Sequence, residues 1–181
     1  MIKNSPIRYG LISLINHWVS ALLVFVLFAV GLWMVELNYY HAWYQTLPNL
    51  HRSFGVVLMA LTIFRILWYR ISPKPQSIKT YSRAERVMAK GVHLVMLFLL
   101  FVMFLSGYLI TTAKGDSLYV FGVIALPATI TGINNLEDYA GQVHELAAFM
   151  LMFLVFLHVA AALKHHFYDK DNTLKRMLGI Q

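Results

Sequence analysis

The sequence contains no cysteine. That excludes disulfides, iron–sulfur clusters and the C-x-x-C-H attachment of covalently bound haem. Charge is also scarce: charged residues make up 13% of the 181 positions, with eight acids in all, against about 25% in an ordinary soluble domain. There are five prolines, and none interrupts the long apolar runs, where a ring would break a helix. No internal repeat and no low-complexity segment is present. What is abundant is apolar surface, 59% of the chain, gathered into four runs of about 20 residues or more, the transmembrane signature.

The runs predict a single all-α membrane domain over residues 1–181, with spans at about 7–36, 49–71, 82–112 and 139–167. The first is too long for a secretory signal, continues into Trp33 and Met34, and lacks a small-residue cleavage site. Pro6 suits the first turn of its helix. The net charge of +7 is not spread as a nucleic-acid footprint, because the cations sit beside the spans. Lys3 and Arg8 precede the first. Arg65, Arg70, Lys74, Lys79, Arg83, Arg86 and Lys90 bracket the second connection, and Lys164, Lys170, Lys175 and Arg176 follow the last. Only Arg52 and Lys114 fall on the other side. The positive-inside rule then gives an up-down four-helix bundle with both termini cytoplasmic. Tyr39, Tyr40, Trp43 and Tyr44 form an aromatic belt outside, and the third connection, residues 113–139 with SLYVFGVIALP, reads as an irregular cover over that face.

Histidines carry the chemistry. His144 and His158 lie fourteen residues apart in the fourth run, about 21 Å along a helix and within roughly 40° of the same face. With alternating spans, His17 shares the cytoplasmic depth of His158, and His51 the periplasmic depth of His144. Polar groups at such depths mark function, and each pair comes from two helices, so imidazoles can meet across the bundle. Two histidines without a thiolate or carboxylate suit a six-coordinate haem iron better than a closed zinc site, which takes four protein ligands. With no cysteine, such haem is non-covalent. His93, a fifth intramembrane histidine, has no obvious partner at its depth and is a candidate for a propionate, a quinone or a structural bond. His41 reads as solvated, and His165 and His166 as interfacial anchors. Arg8, Arg65 and Arg83 on one side and Arg52 and Lys114 on the other are candidate propionate partners. Met150 and Met152 are the rival ligands to check, and the other methionines on the spans read as packing.

The chain resembles the bacterial cytochrome b561 family of small four-helix, di-haem membrane proteins over nearly its whole length. The resemblance rests on Leu14-Ile-Asn-His17-Trp18, on His51 opening the second span, on KGVHLVMLFLL around His93, and on HELAAFMLMFLVFLHVAAALKHHFYDKDNTLKRM. It implies two b-type haems, held by His17 with His158 and by His51 with His144. It further implies a multi-pass protein of the bacterial inner membrane that exchanges electrons between a periplasmic-side donor, superoxide in some members, and ubiquinone. The bundle also resembles cytochrome b subunits that anchor hydrogenases and dehydrogenases, whose donor is a protein partner; short connections favour the independent oxidoreductase. An outer face with Arg52 and Lys114 against Glu36, Asp116, Glu137 and Asp138 offers little attraction to an anion. Lipid is the remaining expected partner, and a homo-oligomer stays open.

Overall fold

In the computed structural model, which describes residues 1–76 and 82–180, the four apolar runs are helices. They are α1 Leu11–Met34, α2 Thr46–Ile71, α3 Arg83–Thr112 and α4 Leu136–Phe167, followed by a short α5, Thr173–Leu178. All four long helices are apolar and long enough to cross a membrane. Even the 24 residues of α1 reach about 36 Å, against a hydrocarbon core of roughly 30 Å. Lys79, in the basic linker, lies outside the described residues.

The burial pattern is that of a lipid-facing bundle. Phe98, Phe153 and Phe156 on the spans point outward, while the side chains buried most completely are Thr62, Thr112, Ser53 and Ser72. Within the helices the hydroxyls donate back four residues, Thr62 to the Leu58 carbonyl at 2.8 Å and Thr112 to the Tyr108 carbonyl at 2.9 Å. Small residues inside let backbones approach, and the back-bonds leave no hydroxyl unsatisfied. A cluster of Leu99, Ala147, Leu151 and Val155 joins α3 to α4.

Helices α1 and α2 pack closely, as do α3 and α4, with α2 also against α3. Helix α4 does not pack closely against α1 or α2. Edge-on ring pairs span the wider gap between α1 and α4, Phe28–Phe149 at 5.6 Å and Phe25–Phe156 at 6.4 Å.

The helix ends differ from expectation in instructive ways. Helix α1 begins at Leu11, because the first ten residues form a strap in place of a first turn around Pro6. Asn4 is its knot. Its Oδ1 accepts from the Gly10 N–H at 2.7 Å and the Ser13 hydroxyl at 2.8 Å, while its own N–H and amide bond Ser72 at the end of α2. Gly10 is required there, since a Cβ would collide with the backbone of Ile2 and Lys3. Helix α2 starts at Thr46, with Pro48 still in the first turn, where its missing N–H costs nothing. Helix α3 opens with a capping box. Ser82 Oγ accepts from the Glu85 N–H at 3.2 Å, and Glu85 accepts from the Ser82 N–H at 2.8 Å.

The third connection is more regular than its sequence implies. Strands β1, Leu118–Val120, and β2, Ile124–Leu126, pair antiparallel. Phe121, Gly122 and Val123 form a three-residue loop, with φ 51° and 72° at the first two and the Val123 N–H donating to the Val120 carbonyl at 3.0 Å. The Phe121 N–H donates to the buried Ser53 Oγ at 2.8 Å, and its ring meets Phe54 at 5.2 Å. The hairpin is thereby fixed to α2 one turn from His51. At the opposite end of the bundle the strap and α5 close over α1, where the Trp18 indole donates to the Met177 carbonyl at 2.7 Å. These are the hairpin end and the terminal end.

Candidate functional site: two histidine pairs

At the hairpin end, His51 of α2 and His144 of α4 bring their rings to a centroid separation of 6.3 Å, with planes at 65°. At the terminal end, His17 of α1 and His158 of α4 stand 6.5 Å apart at 58°. The fourteen-residue spacing on α4 therefore supplies one imidazole to each end. Both pairs bridge helices whose backbones do not pack closely, so the rings meet across space the bundle leaves between them.

The spacing has a chemical meaning. Two trans imidazoles on one metal, with bonds of about 2.0–2.1 Å and roughly 1.2 Å from nitrogen to ring centre, have centroids about 6.4 Å apart. Both pairs match that value.

Glycines back the rings at the hairpin end. A Cβ at Gly31 on α1 would lie 3.4 Å from His51 Cε1, and one at Gly107 on α3 would lie 3.1 Å from His144 Cε1. Gly107 thus makes room for a ring. Ser106 beside it places its hydroxyl 3.0 Å from His144 Nδ1.

The terminal end is furnished with charge instead. Arg65 of α2 is part-buried and bonds the residue before His17, from Nε to Asn16 Oδ1 at 2.8 Å and from Nη2 to the Asn16 carbonyl at 3.2 Å. Asn16 is itself buried and donates from Nδ2 to the Leu61 carbonyl at 3.1 Å. Among the described residues no carboxylate forms an ion pair with Arg65. A part-buried guanidinium without an anion is costly and fits an incoming carboxylate.

This end also corrects the reading of His93. It does have a partner, since its ring lies 5.0 Å from that of His158 at 81°. Its Nδ1 meets the Ala89 carbonyl at 2.5 Å. His93 therefore stands beside the terminal-end pair, against the ring of His158.

The chain belongs to the prokaryotic cytochrome b561 family. The match to the family described as Prokaryotic cytochrome b561 covers residues 8–179. The protein is 48% identical over 176 residues to cytochrome b561 homolog 2 of Escherichia coli (strain K12), covering 97% of this chain and 94% of that protein. It is 30% identical over 172 residues to the probable superoxide oxidase CybB of Yersinia pestis, covering 94% and 96%. It is 23% identical over 175 residues to cytochrome b561 homolog 1 of E. coli, covering 94% and 97%. Membrane electron transport follows at the family level, and the family implies haem b. The residues fit that group: two pairs of imidazoles on facing helices, glycines backing the hairpin-end rings and, among the described residues, an Arg65 guanidinium with no carboxylate partner.

The other candidates are arranged less productively for a haem. Lys114 pairs with Glu137 at 3.2 Å. Arg52, beside His51, turns back onto the Pro48 carbonyl at 3.1 Å and onto Asn49 Oδ1. Arg8 and Arg83 are exposed. His41 is exposed, and its Nδ1 accepts from the Trp43 N–H at 3.2 Å. His165 binds Asp169 at 2.7 Å and Asp171 at 3.2 Å, tying the end of α4 to the turn after it. Met150 is exposed and Met152 is buried. Asn16 and Ser106 are the site residues that sequence reasoning did not assign. Their signal was a lone polar group in an apolar run, immediately before a histidine or a glycine.

Proposed function

We propose that the protein is a membrane di-haem b electron-transfer protein that moves single electrons between a donor at the hairpin end and the ubiquinone pool. The reading makes the hairpin end periplasmic and the terminal end, with both termini, cytoplasmic, an orientation supported by the distribution of Lys and Arg under the positive-inside rule. The chain is then an up-down bundle in the inner membrane and one domain throughout. The observation that carries the proposal is the pair of imidazole separations, 6.3 Å and 6.5 Å, across helices that stay apart.

Haem b, when bound, supplies a one-electron iron couple. His51 with His144 would hold one such group and His17 with His158 the other. Arg65 would pair a propionate, a role supported by its lack of a carboxylate among the described residues. The apolar exterior keeps water from both sites and lowers the local dielectric, which is one way a protein tunes an iron potential. His93 is exposed on α3 next to His158, where a lipid-soluble quinone could reach it from the bilayer.

The outer donor is a small molecule or a protein. Superoxide, named for the Yersinia relative, is weakly supported here: Lys114 is neutralised by Glu137, and the face offers little field to gather an anion. The purified full chain is expected to contain two b-type haems in a pyridine haemochrome assay, and its reduced form to be reoxidised by a soluble ubiquinone analogue. A colourless protein, or one haem per chain, contradicts the first part. Reduced haem indifferent to the quinone contradicts the second.

A further inference from the structure

Ser106 lies on α3, which contributes neither histidine of the hairpin-end pair, and it is only 4% exposed. A serine hydroxyl has one hydrogen to give and two lone pairs to receive. Ser106 Oγ sits 2.7 Å from the Val102 carbonyl and 3.3 Å from the Met103 carbonyl. Carbonyl oxygens only accept, so the hydroxyl hydrogen is spent on its own helix. With the hydroxyl hydrogen on its own helix, the 3.0 Å contact between Ser106 Oγ and His144 Nδ1 is satisfied by the ring nitrogen donating. That arrangement would hold His144 with its proton on Nδ1 and its lone pair on Nε2, the nitrogen left to face a metal.

The neighbouring residue completes the seat. A Cβ at position 107 would come within 3.1 Å of His144 Cε1 and 3.4 Å of Nδ1, so Gly107 lets the ring sit against α3 where Ser106 can reach it. The opposite ring has no such arrangement. Among the described residues, His51 Nδ1 is buried with no hydrogen-bond partner, and its glycine neighbour, Gly31, brings no hydroxyl.

We propose that Ser106 is a positioning residue for the iron of the hairpin end, a refinement that rests on the di-haem reading above. It selects the metal-binding tautomer of His144, fixes the ring's orientation and, by accepting from Nδ1–H, makes the imidazole a stronger donor. Outer partners of this kind orient metal-bound histidines and raise their basicity. A more basic axial ligand favours the oxidised iron, so the midpoint potential of that centre lies lower than it would without the bond.

The test is potentiometric titration of the full chain in detergent, following both haems by absorbance and by their ferric low-spin resonance. The wild type is compared with Ser106→Ala, with Ser106→Cys, similar in size but a weak acceptor, and with Ser106→Thr, which keeps the hydroxyl. The component lost in His51→Ala identifies the hairpin-end centre. In the Ala and Cys variants its midpoint should rise, its resonance should shift and its haem affinity should fall by about 10–100-fold. The terminal-end component should stay put, and Thr should move the values back toward wild type. Unchanged midpoints in Ala overturn the inference. If Ala loses that haem altogether, Cys decides: wild-type values in Cys mean that Ser106 only fills space, and the inference fails. A wild type with no haem overturns the di-haem reading itself. Two haems indifferent to position 106 overturn only the role of Ser106.

Discussion

At the hairpin end, His51 and His144 stand 6.3 Å apart beside two glycines and a serine. At the terminal end, His17 and His158 stand 6.5 Å apart beside a guanidinium, an asparagine and a third imidazole. The shared spacing would suit coordination of one metal by each pair, and the surroundings are free to differ. They differ in sign. On the di-haem reading, a fixed cation favours the reduced iron, which carries one positive charge less, so Arg65 would raise the potential of the terminal-end centre. The hydrogen bond from His144 to Ser106 would lower that of the hairpin-end centre. Both effects would tilt electrons from the hairpin end toward the terminal end, a direction that matched ligands alone would not give.

Removing a ligand should break the comparison most completely. His144→Ala is expected to abolish the hairpin-end haem and spare the other, and His158→Ala to do the reverse, each leaving one haem per chain by haemochrome assay. Loss of both haems from either variant would mean that the two sites are not independent.

Steric change at the glycine seats comes next. Gly107→Val should empty the hairpin end, because even a Cβ there stands 3.1 Å from the His144 ring. Gly31→Val should be milder, starting from 3.4 Å. Haem content of the two variants, measured side by side, checks the order, and a greater loss in Gly31→Val would reverse it.

Charge at the terminal end should have a smaller effect. Arg65→Gln is expected to retain both haems while lowering the midpoint of the terminal-end component alone in a redox titration. Asn16→Ala removes the bond to the Leu61 carbonyl and an acceptor from Arg65, a loss of about 1–3 kcal/mol in stability for a buried group left unsatisfied. Thermal unfolding of the holoprotein, followed by the haem absorbance, measures it.

The least consequential change is Lys114→Gln. It breaks an ion pair whose lysine is 73% exposed, and such pairs contribute little. Neither midpoint nor melting temperature should move measurably, and any superoxide-dependent reduction should be equally indifferent. A sharp fall in that rate would show that Lys114 gathers an anionic donor after all.

How much of this was legible in the sequence depends on which physics wrote it. Four long apolar runs without proline are a solvent argument, and they became four helices. The spacing from His144 to His158 is a helix-geometry argument, and both pairs met across the bundle as the depth reasoning required. Contacts set by rotation about a helix axis were not legible. Depth counted along α3 gave His93 no partner, yet the helix phase turns its ring to His158. Ser106 was invisible because a serine in an apolar span ordinarily does no more than bond its own helix, and only the structure brings a histidine from α4 to its second lone pair. The strap at Pro6 hid for a different reason. Proline there is compatible with a first helical turn; in its place Asn4 folds the strap through bonds to Gly10 and Ser13 and ties it to Ser72, far away in sequence. The three-residue hairpin loop at Phe121, Gly122 and Val123 has an apolar residue on each side of its glycine, and lacks the Asn-Gly pair that most readily announces a hairpin.

The identity of the axial ligands is the claim on which the rest depends. Near-infrared magnetic circular dichroism of the oxidised protein, combined with low-temperature electron paramagnetic resonance, reads those ligands directly. The account predicts two low-spin ferric centres, each with two imidazoles, one vanishing in His17→Ala and the other in His51→Ala. A centre with a thioether ligand, which Met150 or Met152 would supply, or a single centre untouched by one of these substitutions, would contradict it.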